Sequence, residues 1–182
     1  MLNEFKDVID PERLPRRRKH LYYYIVGLVD GEGCFSISVK KRSDAKFGWV
    51  VDPVFHVTQS RQHRQILEVL KKVFKCGRIT PKPGQEETVL QYVVDARRNL
   101  AGKIVPFFKR HKPIVKWSEF QNFAEVVEAL ERGEHKTAEG LANLIKRVHE
   151  AAEEGKHESN SPQKRTGGWT PQRPYAERRR GS

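Results

Sequence analysis

Two carboxylates, Asp30 and Glu32, carry the clearest chemical potential in this chain. They close the apolar run Ile25–Val29 and alternate with Gly31 and Gly33. The segment is predicted to be helical, and Gly27 and Gly31, four residues apart, fall on one face. There they leave room for a second backbone to approach closely. The acids then sit at the helix C-terminus, where the macrodipole already places about −0.5 charge. A cation relieves that crowding of negative charge, and a divalent metal is the usual solution. A solvated acidic turn after a core helix is the alternative reading of the same residues. Gly33 is expected to take the left-handed conformation that ends many helices.

Ile25, Val26, Gly27, Leu28, Val29, Asp30, Gly31, Glu32 and Gly33 resemble, position by position, the signature helix of the LAGLIDADG homing endonucleases. Glu32 stands where that signature has its second Asp, and Gly31 replaces its Ala. The order of strands and helices extends the resemblance to about residue 150. The family likeness implies Glu32 as a metal ligand with the Gly31 carbonyl beside it, and a more structural part for Asp30. The expected cofactor is Mg²⁺, with Mn²⁺ as a substitute. Val57-Thr58-Gln59 is similar to the end of the family's second strand, which implies a catalytic, water-positioning Gln59. Ile114-Val115-Lys116 is similar to the start of the helix bearing its catalytic lysine; Lys116 matches best, with Lys112 as rival. His63 matches a basic position that follows the second strand, next to Arg61. Only one signature is present, so the resemblance implies a homodimer whose seam holds Val26, Gly27, Asp30 and Gly31.

Strands and helices must hold these groups in place. Leu21–Glu32 is expected as the first helix. Phe35–Lys40 alternates apolar and polar residues with the period of a half-buried strand. Trp49–Gln59 follows, with Pro53 marking a bend or an edge. Apolar residues at Ile66, Leu67, Leu70, Val73 and Phe74 predict a helix over Gln62–Cys76, closed by Gly77. Arg78–Lys82 and Thr88–Asp95 form an expected hairpin around Pro83-Gly84. Helices are expected over Asn99–Arg110, Ile114–Glu131 and Thr137–Glu154. The pattern is α+β, a LAGLIDADG-like αββαββα domain with one antiparallel sheet backed by helices, plus C-terminal helices. It divides the chain into an arm (1–20), a domain (21–154) and a basic tail (155–182) expected to be disordered.

Period-two alternation directs Phe35, Ile37, Val39, Phe55, Val57, Ile79, Leu90, Tyr92 and Val94 toward the helices. The opposite face then carries Ser36, Ser38, Lys40, Arg42, His56, Thr58, Arg78, Thr80, Lys82 and Gln91, with Arg61 and His63 just beyond. These side chains suit base edges and phosphates, and a β-ribbon fits the DNA major groove. The face is expected to hold almost no acid.

Composition agrees with a polyanionic partner. The 182 residues carry a formal net charge of +12 and a pI near 9.9. Lys and Arg outnumber Asp and Glu 18 to 6 over residues 36–116, but are outnumbered 9 to 4 over 117–155. One basic and one acidic region imply a face turned to phosphates and a face turned away. Cys34 and Cys76 have no CxxC spacing, which predicts reduced thiols without structural zinc. No targeting or membrane segment is expected, so the sequence predicts an intracellular protein of a prokaryotic cytoplasm or of the organelle that encodes it. Double-stranded DNA is the expected partner. An RNA maturase or a non-catalytic DNA-binding regulator on the same fold are the rival readings, and retention of Glu32, Gln59 and Lys116 favours the nuclease.

Overall fold

A computed structural model describes residues 5–15 and 17–159. The expectation for the tail, including Arg178–Arg180, therefore lies outside the described residues beyond Ser159. Helices α1 (Arg18–Glu32), α2 (Arg64–Phe74), α3 (97–110), α4 (Trp117–Glu131) and α5 (Ala138–Ser159) accompany four strands. These are β1 (Gly33–Lys41), β2 (Trp49–Ser60), β3 (Arg78–Pro81) and β4 (Val89–Val94). They form one antiparallel sheet in the order β1-β2-β4-β3.

The register makes the alternation physical. Phe35, Phe55 and Val94 lie abreast, as do Val57, Tyr92 and Ile79. Phe35, Phe55, Phe108, Phe120 and Phe123 pack with ring centroids 5.2–5.9 Å apart and join the sheet to α3 and α4. A second small core, with Val51, Leu130, Leu141 and Leu144, anchors α5 to the far end of the β1–β2 ribbon. Pro53 is tolerated in β2 because β4 pairs with β2 only from Phe55 onward, so the missing N–H breaks no ladder on that side.

Several boundaries differ from expectation for identifiable reasons. Helix α1 begins at Arg18, and the residues ahead of it contribute Phe5 and Leu14 to the core. Helix α2 ends on Lys75, a non-glycine residue in the left-handed region (φ 51°), rather than on Gly77. Gly77 is itself left-handed at φ 76°, and a Cβ there would lie 2.7 Å from the Tyr92 ring and the Val93 carbonyl. Within α3 the turn Leu100–Ile104 widens to π geometry just ahead of Pro106, which has no N–H to give to the ladder. Helix α4 starts at Trp117, not Ile114.

Candidate cleavage site and nucleic-acid interface

Helix α1 runs directly into β1 at Gly33, whose N–H donates to the Val29 carbonyl. Gly33 is extended (φ −88°, ψ 162°), which corrects the left-handed expectation. A glycine is needed there for space instead: a Cβ would lie 2.6 Å from Val29 Cγ1 and 2.7 Å from the Val29 carbonyl oxygen. The abrupt helix-to-strand junction therefore depends on close backbone approach.

The two acids at this junction have different surroundings. Asp30 accepts three backbone N–H groups, from Ile114 (2.9 Å), Val115 (3.1 Å) and Lys116 (3.1 Å). These precede α4, so Asp30 anchors the start of that helix from another element, where negative charge is favoured. That is also why α4 begins three residues later than its apolar pattern predicts. The expected seam position of Asp30 is corrected accordingly, since its carboxylate is held within its own chain. Glu32 is exposed and makes no hydrogen bond or ion pair among the described residues. Among those residues no group of three or more His, Cys, Asp or Glu side chains is placed to hold a metal.

The register carries Gln59 to the same end of the sheet. Gly33 pairs with Val57, so Gln59, two residues further along β2, lies alongside the end of α1. Gln59 belongs to the helix-facing row, abreast of Leu90 and Pro81, and its Oε1 accepts the Ser60 N–H at 3.0 Å. Lys116 arrives through the Asp30 anchor. Its Nζ lies 3.8 Å from Glu119, and both residues act electrostatically on Cys34, the second residue of β1. Burial chiefly pushes the Cys34 thiol up, Glu119 adds to this, and Lys116 opposes it. Lys112 is occupied elsewhere, with Nζ 5.0 Å from the centre of the Trp117 ring.

Gly27 and Gly31 are exposed, and a Cβ on either would meet nothing within 4 Å. No contact inside the chain explains two bare positions on that helix face. Val26 is 6 % exposed and packs in the core, about 100° around the helix from Gly27, so it cannot belong to the seam.

The outward sheet face contains the expected polar rows. Ser36, Ser38, Lys40, His56, Thr58, Arg78, Thr80 and Gln91 share one phase, and Thr58, Gln91 and Thr80 lie abreast across three strands. Arg42 and Lys82 lie just past strand ends. Acids are less scarce than expected, because Asp52 is in the same phase, opposite Ser38. Lys40 meets Asp52 at 2.9 Å, Arg78 forms a two-pronged pair with Asp95 at 2.8 and 2.7 Å, and Arg42 pairs with Asp44. All three pairs are solvent-exposed, so each contributes only about 0–1 kcal/mol and opens readily to a competing phosphate. Counting the phase of β2 from its apolar residues would have exposed Asp52. Arg61 instead braces the β3–β4 loop through the carbonyls of Glu86 and Glu87, and His63 lies exposed just before α2.

Burial, and then the nearby Lys82, hold His56 below the ordinary histidine range. His111 and His135 are also lowered, mainly by burial. Arg97 donates to His135 Nε2 at 3.1 Å, which fixes the neutral tautomer with its proton on Nδ1. The unfolded chain therefore takes up protons first as pH falls. Stability is complete above the unfolded value of about 6.5 and declines as pH drops below it. The urea midpoint is expected to fall between pH 7.5 and pH 5.5, and His135→Gln should shallow that slope.

Comparison with known proteins follows the geometry. The family described as LAGLIDADG endonuclease matches residues 25–127. Homing endonuclease I-ApeII of Aeropyrum pernix is 40% identical over 116 residues, which is 64% of this chain and 68% of that protein. The archaeal intron-encoded homing endonuclease I-Vdi141I, solved in complex with DNA, superposes with a TM-score of 0.70 at 36% identity, covering 76% of this chain and 86% of that one. Meganuclease I-SmaMI, bound to uncleaveable DNA, gives a TM-score of 0.65 at 28% identity, covering 70% of this chain but only 43% of that one. Among the described residues no helix is long and apolar enough to cross a membrane.

Proposed function

The chain belongs to the LAGLIDADG endonuclease family, and from that premise we propose that it is a site-specific DNA endonuclease acting as a Mg²⁺-dependent homodimer. The observation that carries this reading is the exposed, unpartnered Glu32 at the end of a helix whose other acid is already bonded. It stands at one end of a polar sheet face, with Gln59 and Lys116 at the same end.

The residues fit a hard, partly hydrated cation. Glu32 and the Gly31 carbonyl offer only oxygen, and the backbone carbonyls that end α1 add partial negative charge. Mg²⁺ is commonly held by one or two carboxylates while keeping several waters. Such an ion lowers the pKa of bound water and offsets charge on a phosphodiester. One chain provides a single free carboxylate at this point, so cutting both strands of a duplex calls for a second copy. The exposed glycines supply the face on which two signature helices could pack, with Glu32 and its symmetry mate on either side of a two-fold axis. Two sheets placed end to end would then span about two helical turns, at roughly 10 bp per turn.

The remaining groups take roles their positions allow. Gln59 can orient a water through its amide. Lys116 brings positive charge to the phosphate undergoing attack. Base reading falls to the outward rows of the sheet. His56, neutral near pH 7.5, can there serve as both donor and acceptor.

Lys116→Ala and Gln59→Ala are each expected to slow the chemical step by about 10²-fold or more, the scale of losing one positioned catalytic group. Lys112→Ala should remain within a few-fold of wild type. Single-turnover cleavage of a bound duplex, with and without a chelator, measures both. A greater loss from Lys112→Ala than from Lys116→Ala would reverse the assignment, and cleavage that survives chelation would remove the metal.

A further inference from the structure

The largest exposed apolar side chains among the described residues are Ile114 at 86 % and Val115 at 76 % exposure. They belong to no helix or strand, yet Asp30 holds their backbone N–H groups at 2.9 and 3.1 Å. A carboxylate of the signature helix thus fixes two fully presented aliphatic side chains. Their place along α1 follows from its contacts. His111 lies against Tyr22 and Tyr23, with ring centroids 5.1 and 6.0 Å apart, and residues 114–116 reach Asp30 two turns further on. The segment therefore runs along one flank of α1. Tyr23, Gly27 and Gly31 lie open beside it, with Tyr24 across the stripe. The bare glycines and the presented Ile114 and Val115 make one continuous surface, with a channel floor and an apolar wall.

We propose that this wall is the second half of the subunit seam, and that its occupant is a second copy of this chain. The inference rests on the homodimer reading and adds a contact surface to it. Three observations favour a second copy over another partner. The wall adjoins glycine positions whose bare face no element of the same chain covers. It is uncharged in a chain of net charge +12, so it does not suit nucleic acid. The matched unit also makes up only 43% of the I-SmaMI chain, which leaves room there for a second unit that this chain must find in another copy. Lys116 follows Val115 directly, so the same anchored turn that closes the seam also delivers the lysine to the site.

The test is the double substitution Ile114→Ser, Val115→Ser in the full chain. Both side chains are exposed, so the fold should persist, and an unchanged circular dichroism spectrum and melting temperature of the isolated chain check it. Sedimentation in metal-free buffer is expected to show a dimer dissociation constant raised at least tenfold. Single-turnover cleavage should fall at low protein concentration and recover at high concentration, whereas Lys116→Ala should not recover. Ile114→Leu, Val115→Ile should dimerise like wild type. A doubly substituted protein that dimerises with wild-type affinity would overturn this inference and leave the homodimer reading standing. Wild-type protein that stays monomeric on its cleaved target would overturn that reading itself.

Discussion

Glu32→Gln is expected to abolish strand cleavage while leaving duplex binding within a few-fold of wild type. Glutamine keeps the size and one oxygen of the side chain but loses the charge that holds a divalent ion. Nothing else in the described residues leans on Glu32, because it makes no hydrogen bond or ion pair there, so the fold should not respond. Binding should persist because it draws on the sheet rows and on phosphate contacts, which lie apart from the carboxylate. An effect of several kcal/mol on the transition state corresponds to a loss of roughly a thousandfold or more in rate. Single-turnover assays and gel-shift titrations on one duplex would separate the two effects. A variant that cut at a comparable rate would move the metal site elsewhere. One that failed to bind would give Glu32 a structural part.

Gly27→Leu has an equally large expected effect by a different route. Within one chain the substitution meets open space, since a Cβ there has no neighbour within 4 Å. Replacing an exposed helical glycine should therefore stabilise the isolated chain by about 0.5–1 kcal/mol. Across the proposed seam the leucines of two copies collide, and overpacking a close contact costs roughly 1–3 kcal/mol or more. The expected product is a slightly more heat-stable monomer that does not cleave. Sedimentation with a melting curve distinguishes this from misfolding, which would lower the melting temperature. An intact, active dimer would remove the glycine stripe from the seam.

Much of the fold was legible because period two and period 3.6 are local properties of the chain. The alternation in Phe35–Lys40 and Trp49–Gln59 predicted which residues face the helices, and the sheet register bears it out. What local pattern could not convey was contact between distant segments. The start of α4 is set by Asp30, eighty-four residues before Ile114, and not by the apolar stripe that follows. Gly33 resembled a left-handed terminator but is glycine because Val29 occupies the space of a Cβ. Val26 was assigned to the seam by its nearness in sequence to Gly27, although one helical step of about 100° turns it into the core. Of the site, the signature acids stood out in the sequence. The division of labour between them did not, because it depends on a turn more than eighty residues away. The ion pairs that cover Lys40 and Arg78 were equally invisible, as they form between strands.

The central claim is sequence-specific, metal-dependent cleavage of both strands of DNA, and selection of cleaved sites from a randomised duplex library tests it most directly. With Mg²⁺ the wild-type protein is expected to enrich one pseudo-palindromic site of about two helical turns, broken on both strands. With Ca²⁺ the same site should be bound and left intact. Binding without cleavage under Mg²⁺, or cleavage with no preferred site, would contradict the account.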